Sequence, residues 1–310
     1  MSNLYLVWRG TDSGDPQLYG IRTASYPPSF AGGQSSWFFN IIPPIGKPAL
    51  LALSDRILLA YANHDSLPGI TGTQTNGLVY QYCQSWPTWP SAAVPGTASA
   101  WGPSLVSWPG GALMVWNGLG NDTRVWTAIY HQAQNVWSPQ YLTELANTGQ
   151  PIQTGSTPAI VNFNGTLLMV WLGEGSNDNL YYALSTDGLH WQGNKGIPGA
   201  ASSIAPALAL YNNMPTLCFK GAGSDHTIYC STYNAALDYW GPVVPTGKYG
   251  TSHGPSLAVY HGALFMTCKG INDTDMYWAV STNPTVSNAW PTQQTIAGVG
   301  SNVGPSAVVF

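Results

Sequence analysis

An interval of 15 residues recurs along this chain and limits what it can fold into. Six prolines, Pro48, Pro103, Pro158, Pro206, Pro255 and Pro305, each open an apolar alternating run, in steps of 55, 55, 48, 49 and 50 residues. A turn-forming residue, Asn63, Gly118, Gly173, Gly221 or Gly270, stands 15 residues after each of the first five. Between proline and turn lie two apolar runs joined by Gly or Asn, the pattern of a β-hairpin with strands A and B. The sixth unit is split. Phe310 ends the sequence five residues after Pro305, and the opening NLYLVWRG reads as a strand B without its strand A. Counted across the ends, Gly10 becomes position 320, again 15 residues past Pro305. A closed ring accounts for such a cut, and an open array does not.

Each hairpin is followed by a third strand carrying Tyr19, Tyr80, Trp126, Tyr181, Tyr229 or Tyr277, and a fourth reaching Trp37, Trp89, Trp137, Trp191, Trp240 or Trp290. Radial sheets of four strands, in units of about 40–50 residues, make a β-propeller. The expected fold is all-β: a six-bladed β-propeller of four-stranded antiparallel blades, closed by the C-terminal strand A pairing with the N-terminal strand B. Closure buries two blade faces that would otherwise cost about 25 cal/mol for each Å² of wet apolar surface. A parallel β-helix needs shorter coils and gives no reason for the split unit. The blades are expected at 303–310 plus 1–43, then 44–98, 99–153, 154–201, 202–250 and 251–302, in one domain spanning 1–310.

Only 7% of residues are charged, against a usual ~25%, and the formal net charge is −4. Nine Lys and Arg form no basic stripe, so nucleic acid is not an expected partner. No run approaches the ~18 apolar residues of a membrane-spanning helix, and the N-terminus lacks the pattern of a secretory leader. No membrane insertion is expected, and the expected location is cytoplasmic or reached by non-classical release. Cys83, Cys218, Cys230 and Cys268 have no CxxC spacing and read as buried free thiols.

An Asp or Asn precedes each third strand: Asp15, Asn76, Asp122, Asn177, Asp225 and Asp273. Such residues favour tight turns, and around a ring they also make six polar sites. The residue before the strand-B turn varies through Arg9, Ala62, Asn117, Leu172, Lys220 and Lys269, a donor in four units. The run STDGLHW, Ser185 to Trp191, resembles the Asp-box turn of sialidase-like propellers, one residue short, and gives Asp187 a hairpin-closing role. Glycoside hydrolysis ordinarily needs a close carboxylate pair. With two glutamates and four scattered arginines, Arg9, Arg22, Arg56 and Arg124, no pair or sialidase-type arginine set stands out, and no enzyme is expected. Neither a cofactor nor a metal is implied: the histidines lack HxH or HExxH spacing, and the Asp273–Asp275 pair lacks a full calcium-loop pattern.

Aromatic, carboxylate and amide side chains repeated around a ring suit sugars, whose C–H face lies on a ring while hydroxyls pair with polar groups. The units GPSLAVYHGALFMTCKGINDTDMYWAVST and TPAIVNFNGTLLMVWLGEGSNDNLYYALSTDGLHW resemble those of propeller lectins of mushrooms and bacteria. They are most similar to six-bladed mushroom lectins that bind terminal N-acetylglucosamine. That resemblance implies a multivalent hemagglutinin with shallow clefts between adjacent blades, binding glycans of glycoproteins or cell surfaces as a monomer or weak homodimer. The expected contacts are Asn117, Asp122, Asp178, Lys220, Asp225, His226, Lys269, Asp273 and Trp278, with Arg9 and Asp15 added. Long loops at Tyr26–Gln34 and Pro68–Thr75 suggest weaker sites on the first two blades. A fucose-binding propeller and a protein-interaction propeller are the alternatives; the first repeats an Arg, Glu and Trp set that two glutamates cannot supply.

Overall fold

Strand B of every blade is the most apolar stretch of its unit, and the structure explains why. In the computed structural model, which describes residues 2–11, 17–30, 44–63, 76–84 and 89–310, strand B sits inside its sheet with both faces covered. Ile57–Asn63, Gly111–Asn117 and Ala263–Lys269 are buried along their whole length. Strand C alternates, as in Val125–His131, and outer strands such as Gln294–Gly300 are mostly exposed. Apolar character therefore falls from the middle of each blade toward its rim.

The described residues contain six sheets and no helix, antiparallel throughout except where Glu144–Leu145 joins the edge of blade 4. Blades 2, 4 and 6 have four strands in the order A, B, C, D: Pro44–Ala52 to Ser91–Ala98, Ala159–Phe163 to His190–Ala201, and Ser256–Tyr260 to Gln294–Gly300. In blades 3 and 5 strand D is broken. Val136–Trp137 and Tyr141–Leu142 both pair with strand C of blade 3, and Tyr239–Trp240 and Val244–Gly250 both pair with strand C of blade 5. Blade 1 shows strands A to C; Trp37, expected in its strand D, lies outside the described residues, as do Asp15 and Pro68–Thr75.

The ring closes as the split unit requires. Ser306–Val309 pairs antiparallel with Leu4–Arg9, with Leu6 opposite Ala307 and Leu4 opposite Val309. Reciprocal backbone bonds join Asn3 and Phe310, at 2.7 and 3.0 Å. The six strands A contact one another in sequence around the axis, and that of blade 1 meets those of blades 2 and 6. Six apolar clusters fill the six gaps between blades. The one spanning blades 6 and 1 packs Leu4, Leu6 and Trp8 against Tyr260, Phe265 and Trp278.

The described strand-D tryptophans belong to this packing. Trp137 contacts Tyr80 and Tyr130 across blades 2 and 3, and Trp240 contacts Tyr182 and Tyr233 across blades 4 and 5. Two expectations need correction. Cys218 and Cys230 are not free thiols: the strand register puts them directly opposite one another in blade 5, where they form a disulfide, while Cys83 and Cys268 are buried thiols outside it. In blade 2, Tyr61 faces Val79, where Trp8, Trp116 and Trp171 face Tyr19, Trp126 and Tyr181, so Tyr80 is one residue off the repeated aromatic position.

Candidate functional site

Two sets of loops share one end of the propeller: the B–C turns, and the loops that lead from strand D into the next strand A. In blades 3 to 6 the repeated Asp or Asn locks the B–C turn. Asp225 accepts from the Thr227 amide at 2.9 Å and from the Tyr229 hydroxyl at 2.9 Å. Asp273 accepts from the Asp275 amide and the Tyr277 hydroxyl at 3.1 and 3.2 Å. Asp122 receives the Arg124 amide at 3.2 Å and the Trp126 indole N–H at 2.9 Å. Asn177 accepts from the Asn179 amide and donates to the Tyr181 hydroxyl, at 3.2 and 2.9 Å. Burial opposes ionisation of Asp225, yet the bonds from Thr227 and Tyr229 and the charge of Lys220 hold its pKa below the usual carboxylate value. The same lock explains the 15-residue endpoint: a Cβ on Gly221 or Gly118 would collide with the carboxyl group of Asp225 or Asp122.

The donors before that glycine are also engaged. Lys220 is buried and donates to Ser203 Oγ, Gly221 O and Gly223 O at 2.8, 3.1 and 2.9 Å. Lys269 donates likewise to Ser252 Oγ, Gly270 O and Asp273 O, at 3.1, 3.3 and 2.7 Å. Asn117 donates to Gly118 O at 3.1 Å and accepts from Ser99 Oγ at 3.2 Å. Trp278 lies in the core against Phe30 and Phe265 and is 5% exposed, so it presents almost no surface to a ligand. Arg9 is half-buried at the end of strand B, and its carbonyl accepts from Ser301 Oγ at 2.8 Å.

A Ser or Thr four residues before the proline, absent from the sequence reading, forms a clasp between blades. The backbone N–H groups of Ser99, Thr154, Ser202, Thr251 and Ser301 donate to Asn76, Thr123, Asp178, His226 and Thr274 of the preceding blade at 2.7–2.9 Å. Hydroxyls of Thr154, Thr251 and Ser301 reach the end of strand B in the following blade, at Leu172, Lys269 and Arg9. Blade 2 has Pro44 at this position. The clasps also set equivalence: Asn76 matches Asp178 and His226, so the residue of blade 2 that aligns with Asp122 is Thr75, outside the described residues. Asp178 keeps an exposed side chain, while His226 Nδ1 faces the Thr251 carbonyl at 3.2 Å.

Between blades 3 and 4 the loops leave a cleft of about 320 Å³. Its wall comes from an excursion after blade 3, in which Glu144–Leu145 crosses to pair parallel with His190–Trp191 on the outer edge of blade 4. The chain then returns through Pro151, Ile152 and Gln153 along the cleft. Half-buried Tyr181 supplies its apolar floor, backed by the buried Trp171 with which it stacks at 6.3 Å. The rim is polar and largely exposed. Glu174 accepts from Thr123 Oγ1 at 3.0 Å and from the Gln153 amide nitrogen at 3.1 Å. Asn194 is the extra residue of a β-bulge between strands C and D, with φ of 76°. Bulges re-aim side chains in this way, and nothing in the residue spacing announces one.

A larger opening of about 610 Å³ lies between blades 2 and 3 on the opposite end, beside Asp55, Arg56, Trp108 and Gln132. Its carboxylate is already saturated: Arg56 donates to Asp55 twice at 2.9 Å, and Gln132 and Gln84 add bonds at 2.5 and 3.2 Å. The Asp-box run is structural, as expected. Asp187 Oδ1 accepts from the Leu189 and His190 amides at 2.8 Å, closing the hairpin, and Oδ2 meets His190 Nδ1 at 2.8 Å.

No protein-family model matches this sequence, and no curated protein matches it. Solved structures share its fold. AofleA from Arthrobotrys oligospora superposes with a TM-score of 0.60 at 12% identity, over 86% of this chain and 74% of that one. The Hadza microbial sialidase gives 0.59 at 12% identity, over 90% of this chain and 66% of that one. An α-L-arabinofuranosidase from Clostridium thermocellum gives 0.51 at 15% identity, over 82% and 96%. The expectation that the chain is not an enzyme is overturned by these neighbours, because propellers of this shape include glycoside hydrolases and sialidases. Two glutamates do not exclude hydrolysis on this fold, because aspartates also serve as its acid and base.

Proposed function

We propose that this propeller binds carbohydrate and seats a terminal sugar in the cleft between blades 3 and 4. The observation that carries the reading is the cleft's combination of a stacked aromatic floor, Tyr181 on Trp171, with a polar rim of exposed Glu174, Gln153 and Asn194 beside half-buried Asn177. Its volume of about 320 Å³ is at the small end of ligand sites, about 300–1,000 Å³, which favours the tip of a glycan over a long chain. Tyr181 meets the C–H face of a pyranose, Glu174 accepts from hydroxyls, and the amides both donate and accept. N-acetylglucosamine is the preferred sugar, its acetamido group bonding to the rim amides with the methyl against Ile152 and Pro151. Glycans of glycoproteins or cell surfaces are the natural ligands in this reading, and the Cys218–Cys230 disulfide suits the oxidising surroundings in which such glycans are displayed.

Titration calorimetry with N-acetylglucosamine and fucose, beside a glycan array, tests the proposal. One such site is expected to bind near the millimolar range, about −4 kcal/mol. Tyr181→Ala should weaken binding by about fivefold, the effect of a lost aromatic contact of about 1 kcal/mol, and Glu174→Gln should weaken it as well. No binding to any glycan would remove the reading, and binding of fucosides alone would replace the sugar. Turnover of aryl glycosides that disappears in Glu174→Gln would replace binding with hydrolysis.

A further inference from the structure

Among the described residues that line the propeller axis, Lys47 is the one Lys, Arg, Asp or Glu. It stands immediately before Pro48, where the other units have Gly102, Thr157, Ala205, Gly254 and Gly304. Its Nζ reaches across the ring and donates to the carbonyl of Pro255 at 2.6 Å. On the B–C end, Lys47 borders an axial mouth of about 170 Å³ walled by Trp101, Ile204, Val303 and His253. Deeper in the channel it also borders a cavity of about 120 Å³ among the strands A of all six blades.

This ammonium has no counter-ion: among the described residues no carboxylate pairs with it. Among the described residues, the only other titratable group lining either space is His253. Burial, then the charge of Lys269, lowers the His253 pKa, and its Nδ1 is occupied by Ser252 Oγ at 3.0 Å. His253 is therefore neutral near pH 7 and supplies no charge. Burial lowers Lys47 to about 8, which leaves it mostly protonated there. A cation facing an apolar cavity attracts an anion more strongly than it would in water, because the local dielectric is low.

We propose that the axial mouth binds a small carboxylate carrying one apolar ring or a short chain, with the anion on Lys47 and the apolar body against Trp101, Ile204 and Val303. Size sets the limit, since a cavity of about 150 Å³ takes up a benzene ring and this mouth encloses about 170 Å³. The walls select the class. A phosphate or sulfate needs several donors, whereas this site offers one ammonium and a largely apolar rim with Trp101 46% exposed. The site lies on the axis and shares no lining residue with the cleft of Tyr181 and Glu174.

Benzoate is the probe, and benzyl alcohol is its neutral counterpart. Titration of the full chain, followed by calorimetry and by the indole resonance of Trp101, should show benzoate binding one to one and at least tenfold tighter than benzyl alcohol. Lys47→Met should erase that preference, and Trp101→Ala, a change on the exposed rim, should weaken both ligands without lowering the melting temperature. Raising the pH from 6.5 to 10 should weaken benzoate more than tenfold as Lys47 loses its proton. Benzoate no tighter than benzyl alcohol in the native protein overturns the proposal. So does unchanged benzoate affinity in Trp101→Ala, even if Lys47→Met does not fold.

Discussion

Gly221→Ala tests the reason for the 15-residue interval. An alanine Cβ at this position collides with the Asp225 carboxylate, which must move off Thr227 N and the Tyr229 hydroxyl. Hydrogen bonds to a charged group contribute about 1.5–3 kcal/mol each when buried, and partial exposure of Asp225 pulls them toward the lower end. The pair then amounts to about 2–3 kcal/mol, and at about 2–4 °C for each kcal/mol the melting temperature should fall by about 4–12 °C. Thermal unfolding followed by circular dichroism reads this directly. Gly196→Ala is the control, because nothing lies within 4 Å of its added Cβ. The coupled experiment is sharper: on an Asp225→Ala background, Gly221→Ala should cost less than about 0.5 kcal/mol, since the obstructed group is gone. Equal cost on both backgrounds would refute the packing explanation of the glycine.

Lys220→Met should destabilise the fold by about 2–4 kcal/mol, because three oxygen acceptors lose a buried donor, while glycan binding between blades 3 and 4 stays unchanged; lost binding would show a ligand role for Lys220. Alkylation of the denatured, unreduced protein should label the two cysteines Cys83 and Cys268, and reduction should raise the count to four, whereas four labels without reduction would disprove the disulfide. Burial opposes the charge on Asp187, but hydrogen bonds from His190, Leu189 and Ser185 outweigh it and hold its pKa at about 2, so its stabilisation is full above 3.8 and lost as pH falls through about 2. The His190 pKa is raised above 6.5 by Asp187, so its contribution is full below 6.5 and lost as pH rises through the raised value. An NMR titration should find that midpoint restored to the ordinary histidine range in Asp187→Asn, and an unmoved midpoint would break the pairing.

The architecture was legible because its determinants repeat. Pro305 to Gly10 showed the closure, and the fully apolar strands B showed which strand each sheet buries. The clasps of Ser99, Thr154, Ser202, Thr251 and Ser301 were equally periodic but easily passed over, since a hydroxyl residue near a proline looks like ordinary loop chemistry. The disulfide needed the register of strands B and C, which residue spacing does not supply. Candidate ligand contacts were harder to read for a physical reason. Asp225, Lys220 and Lys269 bear the groups that a sugar would use, and the turns use the same groups. The cleft at Tyr181 instead depends on features found once, the crossing of Glu144–Leu145 onto blade 4 and the bulge at Asn194, and single features leave no periodic trace.

A crystal structure with N-acetylglucosamine bound examines the central claim most directly. The account predicts the sugar ring on Tyr181 between blades 3 and 4, with Glu174 within hydrogen-bond distance of a hydroxyl. A sugar seated elsewhere on the ring, with this cleft empty at saturating concentration, would contradict it.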